Sequence, residues 1–132
     1  MGVADRALDL AVDHAKTRLQ FERPIGVFQG VSHKLADGYV EEENARSLAY
    51  FAGWAVANEA DEASQVAAAA KGYAAEAAVD ICEKAIQAHG GIGFTWEHPL
   101  HRFYKRAQWI EAFEGFGREH RAAVADAVLA TS

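Results

Sequence analysis

A chain of 132 residues, 51% of them apolar, is long enough for one domain with a sizeable core and too short for two comfortable ones. Its formal net charge of −6, with acidic and basic residues interspersed, leaves no basic face for nucleic acid and no basic amphipathic helix for a membrane surface, so small molecules or proteins are the expected partners. The single cysteine, Cys82, excludes an internal disulfide framework and points to a reducing, cytoplasmic setting, and no apolar run approaches membrane length.

Heavy use of alanine, scarce β-branched runs and only two prolines, Pro24 and Pro99, predict an all-α fold with no strand, in one domain spanning residues 1–132. Met1 and Gly2 run straight into a helical pattern with neither leader nor cap, so the chain is expected to be a piece of a longer protein. From Ala4, the apolar positions Leu8, Ala11, Ala15 and Leu19 recur at three- and four-residue spacing and predict a first helix ending near Gln20. The segment 21–26, with Pro24 and Gly26, is a turn. Phe28, Val31, Leu35, Tyr39, Ala45, Ala49, Ala52 and Val56 then keep the helical period for about thirty residues, one long rod.

Residues 58–64 are acidic and polar and suit a surface connection. The third helix carries Val66, Ala70, Tyr73, Ala77, Ile81, Ala85 and Ala88, and ends abruptly where Gly90, Gly91 and Gly93 fall within four positions. A shorter aromatic and basic helix is expected over 96–109 and a last one over 119–129. Small residues on long antiparallel rods predict an up-and-down four-helix bundle of the first, second, third and last helices, with the additional short helix on its edge.

Six histidines raise the question of a metal, but no Glu-x-x-His occurs, and His98 with His101 stand at a helix start with no third ligand, so no metal site is expected. Cys82, in mid-helix, reads as a small core residue. The informative constellation is Arg18-Leu19-Gln20-Phe21 at the end of the first helix together with Gln87-Ala88-His89-Gly90-Gly91-Ile92-Gly93 at the end of the third. In an up-and-down bundle those two ends emerge together. An arginine, two amides, an aromatic ring and open glycine amides then converge in a way that suits the phosphates and ring of a dinucleotide, where the alternative is four unrelated turn residues.

The string Arg18-x-Gln20-Phe21-x-x-Pro24-Ile25-x-x-Phe28-Gln29, followed by Leu35-Ala36-Asp37, Lys71, Gln87-x-His89-Gly90-Gly91-x-Gly93 and Pro99-Leu100-x-Arg102, resembles the C-terminal helical domain of acyl-CoA dehydrogenases over nearly the whole chain. The resemblance implies a tetramer-building helical bundle that lends these motifs to the ADP half of FAD held mainly by a neighbouring subunit. It places Arg18 at the pyrophosphate, Gln20 and Phe21 beside it, and Gln87 with Gly90 and Gly91 at the adenosine end. It also implies a homo-oligomer, dimer or tetramer, with acyl-CoA as substrate and an electron-transfer protein as acceptor.

Two departures stand out. Glu22 occupies the position where the family usually has glycine, and its carboxylate is expected to face solvent or pair with Arg23. The usual Tyr-Glu-Gly-Thr reads Phe113-Glu114-Gly115-Phe116, and the usual Arg-Asp-Ala before it reads Lys105-Arg106-Ala107. The resemblance makes Glu114 the base that removes the substrate's α-proton while the β-hydrogen leaves as hydride, and the apolar flank of Trp109, Ile110, Phe113 and Phe116 is expected to desolvate it. Its backbone amide would be one oxyanion donor. Some members carry the base on the first helix, upstream of Met1, and some lack one. The related oxidases and a helical oligomerisation module without chemistry are the alternatives.

Overall fold

The computed structural model describes residues 2–130. Five helices account for most of them: α1 (Gly2–Thr17), α2 (Gln29–Ala57), α3 (Ala63–His89), α4 (Leu100–Ala112) and α5 (Gly117–Ala130). The long rods start and stop where the periodicity placed them. The first helix is shorter than expected, because Thr17 Oγ1 turns back to the Asp13 carbonyl at 2.8 Å and the chain straightens after it. Residues 19–24 then form a two-residue ladder, β1 (Leu19–Gln20) antiparallel to β2 (Arg23–Pro24), in place of a plain turn. A ladder this short carries no period of two, so no alternation marks it in the residues.

α4 begins at Leu100, four residues later than expected, with Pro99 as its N-cap residue. Proline has no N–H to leave unsatisfied there. α5 starts two residues earlier than expected, at Gly117, because the Glu119 carboxylate accepts the Phe116 backbone N–H at 2.8 Å, one half of a capping box.

α3 is the axis of the molecule, and α1, α2, α4 and α5 all pack on it. Gly38 of α2 brings the backbone close enough that a Cβ there would stand 3.5 Å from Leu8 and 3.7 Å from Ile81, which locks α1, α2 and α3 together at mid-height. The continuous core joins Ala4, Ala7, Leu8, Ala11 and Ala15 of α1 to Leu35 of α2, Ile81, Cys82, Ala85 and Ile86 of α3, and Leu100 and Ala107 of α4. Ile81 and Leu100 are fully buried, each worth about 1.5–3 kcal/mol of transfer free energy. α4 therefore shares the core with α1, while α5 lies chiefly along α3 and buries only Gly117; the edge position expected of the fourth helix belongs to the fifth. Alanine and valine spaced along α5 could not reveal which side of α3 it would take. Ion pairs fasten the rods outside the core: Arg46 meets Asp5 of α1 at 3.3 Å and the buried Glu42 on its own helix, and Lys84 of α3 reaches Glu41 of α2 at 2.8 Å. Cys82 is a core residue as expected, its thiol pushed up to about 12 by burial.

Candidate functional site

α1 and α3 run parallel, with α2 antiparallel to both, so the motif after α1 and the motif ending α3 emerge at one end of the bundle. Rings make the junction. His14, in the last turn of α1, stacks on His89, the last residue of α3, with centroids 4.2 Å apart and planes at 23°. His98, just before α4, also lies against His89 at 4.3 Å. The sequence weighed only His98 and His101 together. Its missed signal was position: His14 stands four residues before Arg18, and His89 two after Gln87.

Arg18 is held by its backbone. Its N–H donates to the His14 carbonyl at 2.8 Å and its carbonyl accepts the Ile25 N–H at 2.9 Å. Its guanidinium is exposed and forms no hydrogen bond or ion pair among the described residues. The hairpin after it turns through Phe21 (φ 52°) and Glu22 (φ 62°), both in the left-handed region that a two-residue hairpin loop demands and that non-glycine residues avoid. Phe21 projects into solvent, 86% exposed, edge-on to Phe28 with centroids 6.2 Å apart. Gln20 is exposed beside it. Glu22 is exposed too, and of the two fates expected for it solvent prevails, with no ion pair to Arg23 among the described residues.

Opposite the hairpin, Gln87 is exposed on the last turn of α3, and the glycines fold into a short 3-10 turn, Gly90–Phe94. Gly90 has φ 65° and ψ −140°, a conformation essentially reserved for glycine, and its N–H closes the helix onto the Gln87 and Ile86 carbonyls. Gly91 is exposed with open space where a side chain would be. A cavity of about 330 Å³ opens beside this turn between α3 and α4, lined by Gln87, Gly93, Phe94, His101, Tyr104 and Lys105 among others.

Glu114 is elsewhere. α4 runs back along α3, and Lys71 Nζ donates to the Ile110 carbonyl at 2.7 Å, which places the α4–α5 turn beside the first half of α3. Sixteen residues of α3 separate Lys71 from Gln87, about 24 Å at the rise of a helix. Within one chain the candidate base and the candidate dinucleotide residues therefore do not meet. Glu114 sits at φ 59°, followed by Gly115 at φ 102°, and the turn is pinned on both sides by the Lys71 and Glu119 contacts. Its carboxylate is exposed. The expected drying flank is itself half open: Trp109 is 51% exposed, Phe113 50% and Phe116 45%, with Arg106 4.3 Å over the Trp109 ring. This chain alone does not desolvate Glu114. Beneath the turn, His120 Nε2 is buried without a hydrogen-bond partner among the described residues, 3.6 Å from where a Gly115 Cβ would stand. Of the non-glycine residues with positive φ among the described residues, Phe21, Glu22 and Glu114 fall in the candidate motifs, and Glu59 closes the α2–α3 turn. Stored strain of this kind gathers at functional positions.

The chain matches the family described as acyl-CoA dehydrogenase, C-terminal domain, over residues 1–129. It is 40% identical over 119 residues to the acyl-CoA dehydrogenase IpdE2 of Mycolicibacterium smegmatis, covering 90% of this chain and 36% of that protein. Among solved structures it resembles the butyryl-CoA dehydrogenase of Megasphaera elsdenii, with a TM-score of 0.91 and 34% identity over 97% of this chain and 33% of the other. It resembles a chain of the ChsE4–ChsE5 complex of Mycobacterium tuberculosis equally well, with a TM-score of 0.91 and 35% identity over 97% of this chain and 35% of that one. The chain spans about a third of the length of the curated relatives it matches.

Proposed function

The chain belongs to the acyl-CoA dehydrogenase family through its C-terminal domain, and on that premise we propose that it completes an FAD-dependent enzyme for the α,β-dehydrogenation of acyl-CoA thioesters. The supporting observation is the convergence of the Arg18 hairpin and the Gly90–Phe94 turn at one end of the bundle, held by the His14–His89 stack. The residues present fit an anionic dinucleotide. Arg18 offers an unpaired guanidinium for a pyrophosphate, Phe21 and Gln20 stand exposed beside it, and Gln87 with Gly90 and Gly91 presents amide groups and open backbone to an adenosine.

FAD, when bound, would supply the acceptor for the substrate's β-hydrogen as hydride. Glu114 then takes the α-proton, and its backbone N–H, on a turn pinned by Lys71 and Glu119, polarises the thioester carbonyl. Because Glu114 and Arg18 lie at opposite ends of one chain, the dinucleotide end serves a neighbouring subunit's cofactor, and the enzyme works as a homo-oligomer in the cytoplasm with an electron-transfer protein as acceptor. No helix of the described residues is long and apolar enough to cross a membrane.

In the FAD-loaded enzyme that this chain completes, Arg18→Ala is expected to lose about 1.5–3 kcal/mol of charge-assisted contact, roughly ten- to a hundredfold in FAD affinity, with little effect on chemistry. Glu114→Gln is expected to slow flavin bleaching by acyl-CoA about 10²–10⁴-fold with thioester binding retained. Parental FAD retention in the first variant removes Arg18 from the cofactor site. A parental bleaching rate in the second puts the base on another residue.

A further inference from the structure

The sequence motifs include Arg18, the glycines and His89, but not the two further imidazoles, His14 and His98, packed against His89. His14, His89 and His98 come from three separate elements, α1, α3 and the segment leading into α4; His14 stacks on His89, and His98 lies tilted against the same ring at 49°. One hydrogen bond requires a neutral ring. His98 Nδ1 accepts the Leu100 N–H at 3.4 Å, the first amide of α4, which it can do only unprotonated. His89 Nδ1 donates to the Ala85 carbonyl at 2.8 Å, which fixes the orientation of this buried ring between the other two.

The charged and titratable groups that act on His14 and His98 are Arg18 from the residue after α1, His89 from α3, the two rings themselves and His101 from α4; among the described residues no carboxylate acts on either. A proton placed on His14 therefore meets a guanidinium and two imidazoles, and one placed on His98 meets two imidazoles, with no carboxylate to offset either.

We propose that the His14–His89–His98 cluster is the positioning element of the dinucleotide end, holding the Arg18 hairpin against the Gly90–Phe94 turn only while His14 and His98 are neutral. The proposal rests on the reading of that end as a cofactor site. Its physical consequence does not: acid should part the two motifs whether or not any ligand binds there. Burial, with His89, Arg18 and His98, lowers the His14 pKa from the ordinary 6.5, and burial, with His89 and His101, lowers that of His98. The folded chain thus takes up protons less readily than the unfolded one. The cluster's contribution is complete above pH 6.5 and is lost as pH falls below it.

The test uses the chain itself, without cofactor. Backbone amide shifts of Arg18, Gln20 and Gly91 are followed by NMR from pH 8 to 5 beside the histidine ring protons, and thermal midpoints are measured at pH 7.5 and 5.5. In the parent the three amides should move with the ring titration, and the midpoint should fall by about 3 °C or more. His14→Phe keeps a stacked ring without a titrating group, so it should remove at least half of that fall and keep the amide positions of the parent at pH 7.5. His14→Ala removes the ring, and should displace the same amides at every pH. Rings that titrate while the Arg18 and Gly91 amides stay still would overturn the proposal, as would a His14→Phe chain as acid-sensitive as the parent. In the loaded enzyme, FAD release at pH 5.5 should slow in His14→Phe. Loss of that effect alone, with the amides behaving as expected, would count against the cofactor reading and leave the positioning role standing.

Discussion

At Gly93 a side chain has nowhere to go, since a Cβ there would stand 2.8 Å from the Ile86 carbonyl oxygen and 3.2 Å from the Ile86 Cα, both backbone atoms that cannot swing aside. Gly90 is needed for a different reason, its φ of 65° with ψ of −140°. Neither reason applies to Gly91, which has no positive φ and nothing within 4 Å of where its Cβ would be. A glycine that the fold does not require, exposed between two that it does, is what close approach of a ligand to the backbone would leave behind. Gly93→Ala is therefore expected to destabilise the chain by about 1–3 kcal/mol through overpacking. Gly91→Ala should stay within about 0.5 kcal/mol of the parent in urea unfolding and still weaken FAD retention in the loaded enzyme. If Gly91→Ala unfolds as easily as Gly93→Ala, its glycine serves the turn and not a ligand. The sequence could see three glycines in four residues but not divide the work among them, because close approach and backbone sign are properties of the folded turn.

At the scale of elements, the long rods could be read from periodicity because each has a buried stripe, Leu35 and Ala45 on α2 and Ile81 and Ala85 on α3. The same stripe hardly exists on α5, whose burial falls on Gly117, so its place at the edge was beyond pattern reading. The site divided in the same way. Convergence of the two motifs followed from counting helices, whereas the His14–His89–His98 cluster needed three elements in register. The hairpin between α1 and α2 was read as a turn, and its strain could not be foreseen. Phe21 and Glu22 together occupy the two left-handed positions of its loop, where asparagine and glycine are at ease, and each such non-glycine residue costs of order 1 kcal/mol or more. Phe21 has a use for its exposure in the proposed cofactor contact, but Glu22 projects a carboxylate with no hydrogen bond or ion pair among the described residues. Glu22→Gly should accordingly raise stability by about 0.5–1 kcal/mol, a gain of a few degrees in thermal midpoint, and remove a negative charge near Arg18. A midpoint that falls would mean the strain is offset by an interaction of Glu22 that the fold does not reveal.

At the scale of the whole molecule, the core is lined largely by alanine while the big rings face outward. Tyr50, Phe51 and Trp54 stand exposed along one stretch of α2, with Phe51 and Trp54 stacked at 6.0 Å, and Trp109, Phe113 and Phe116 surround the Glu114 turn at the other side of α3. Aromatic surface on this scale is what interfaces cover. The Glu114 turn and the dinucleotide end lie about 24 Å apart along α3, which accords with the proposed sharing of sites between copies. Self-association through the α2 rings is therefore expected of this chain at micromolar concentration, to be read by light scattering or sedimentation. Trp54→Glu, which puts a charge on an exposed ring position and disturbs no buried residue, should leave the helical signal and thermal midpoint near those of the parent. It should weaken association by about 2 kcal/mol, roughly thirtyfold, if Trp54 is an interface anchor. A parent that stays monomeric would leave the α2 rings to contacts outside these residues, and a Trp54→Glu chain that assembles like the parent would move the interface to the rings around Glu114, where covering Trp109 and Phe116 would also dry the carboxylate that this chain alone leaves in water.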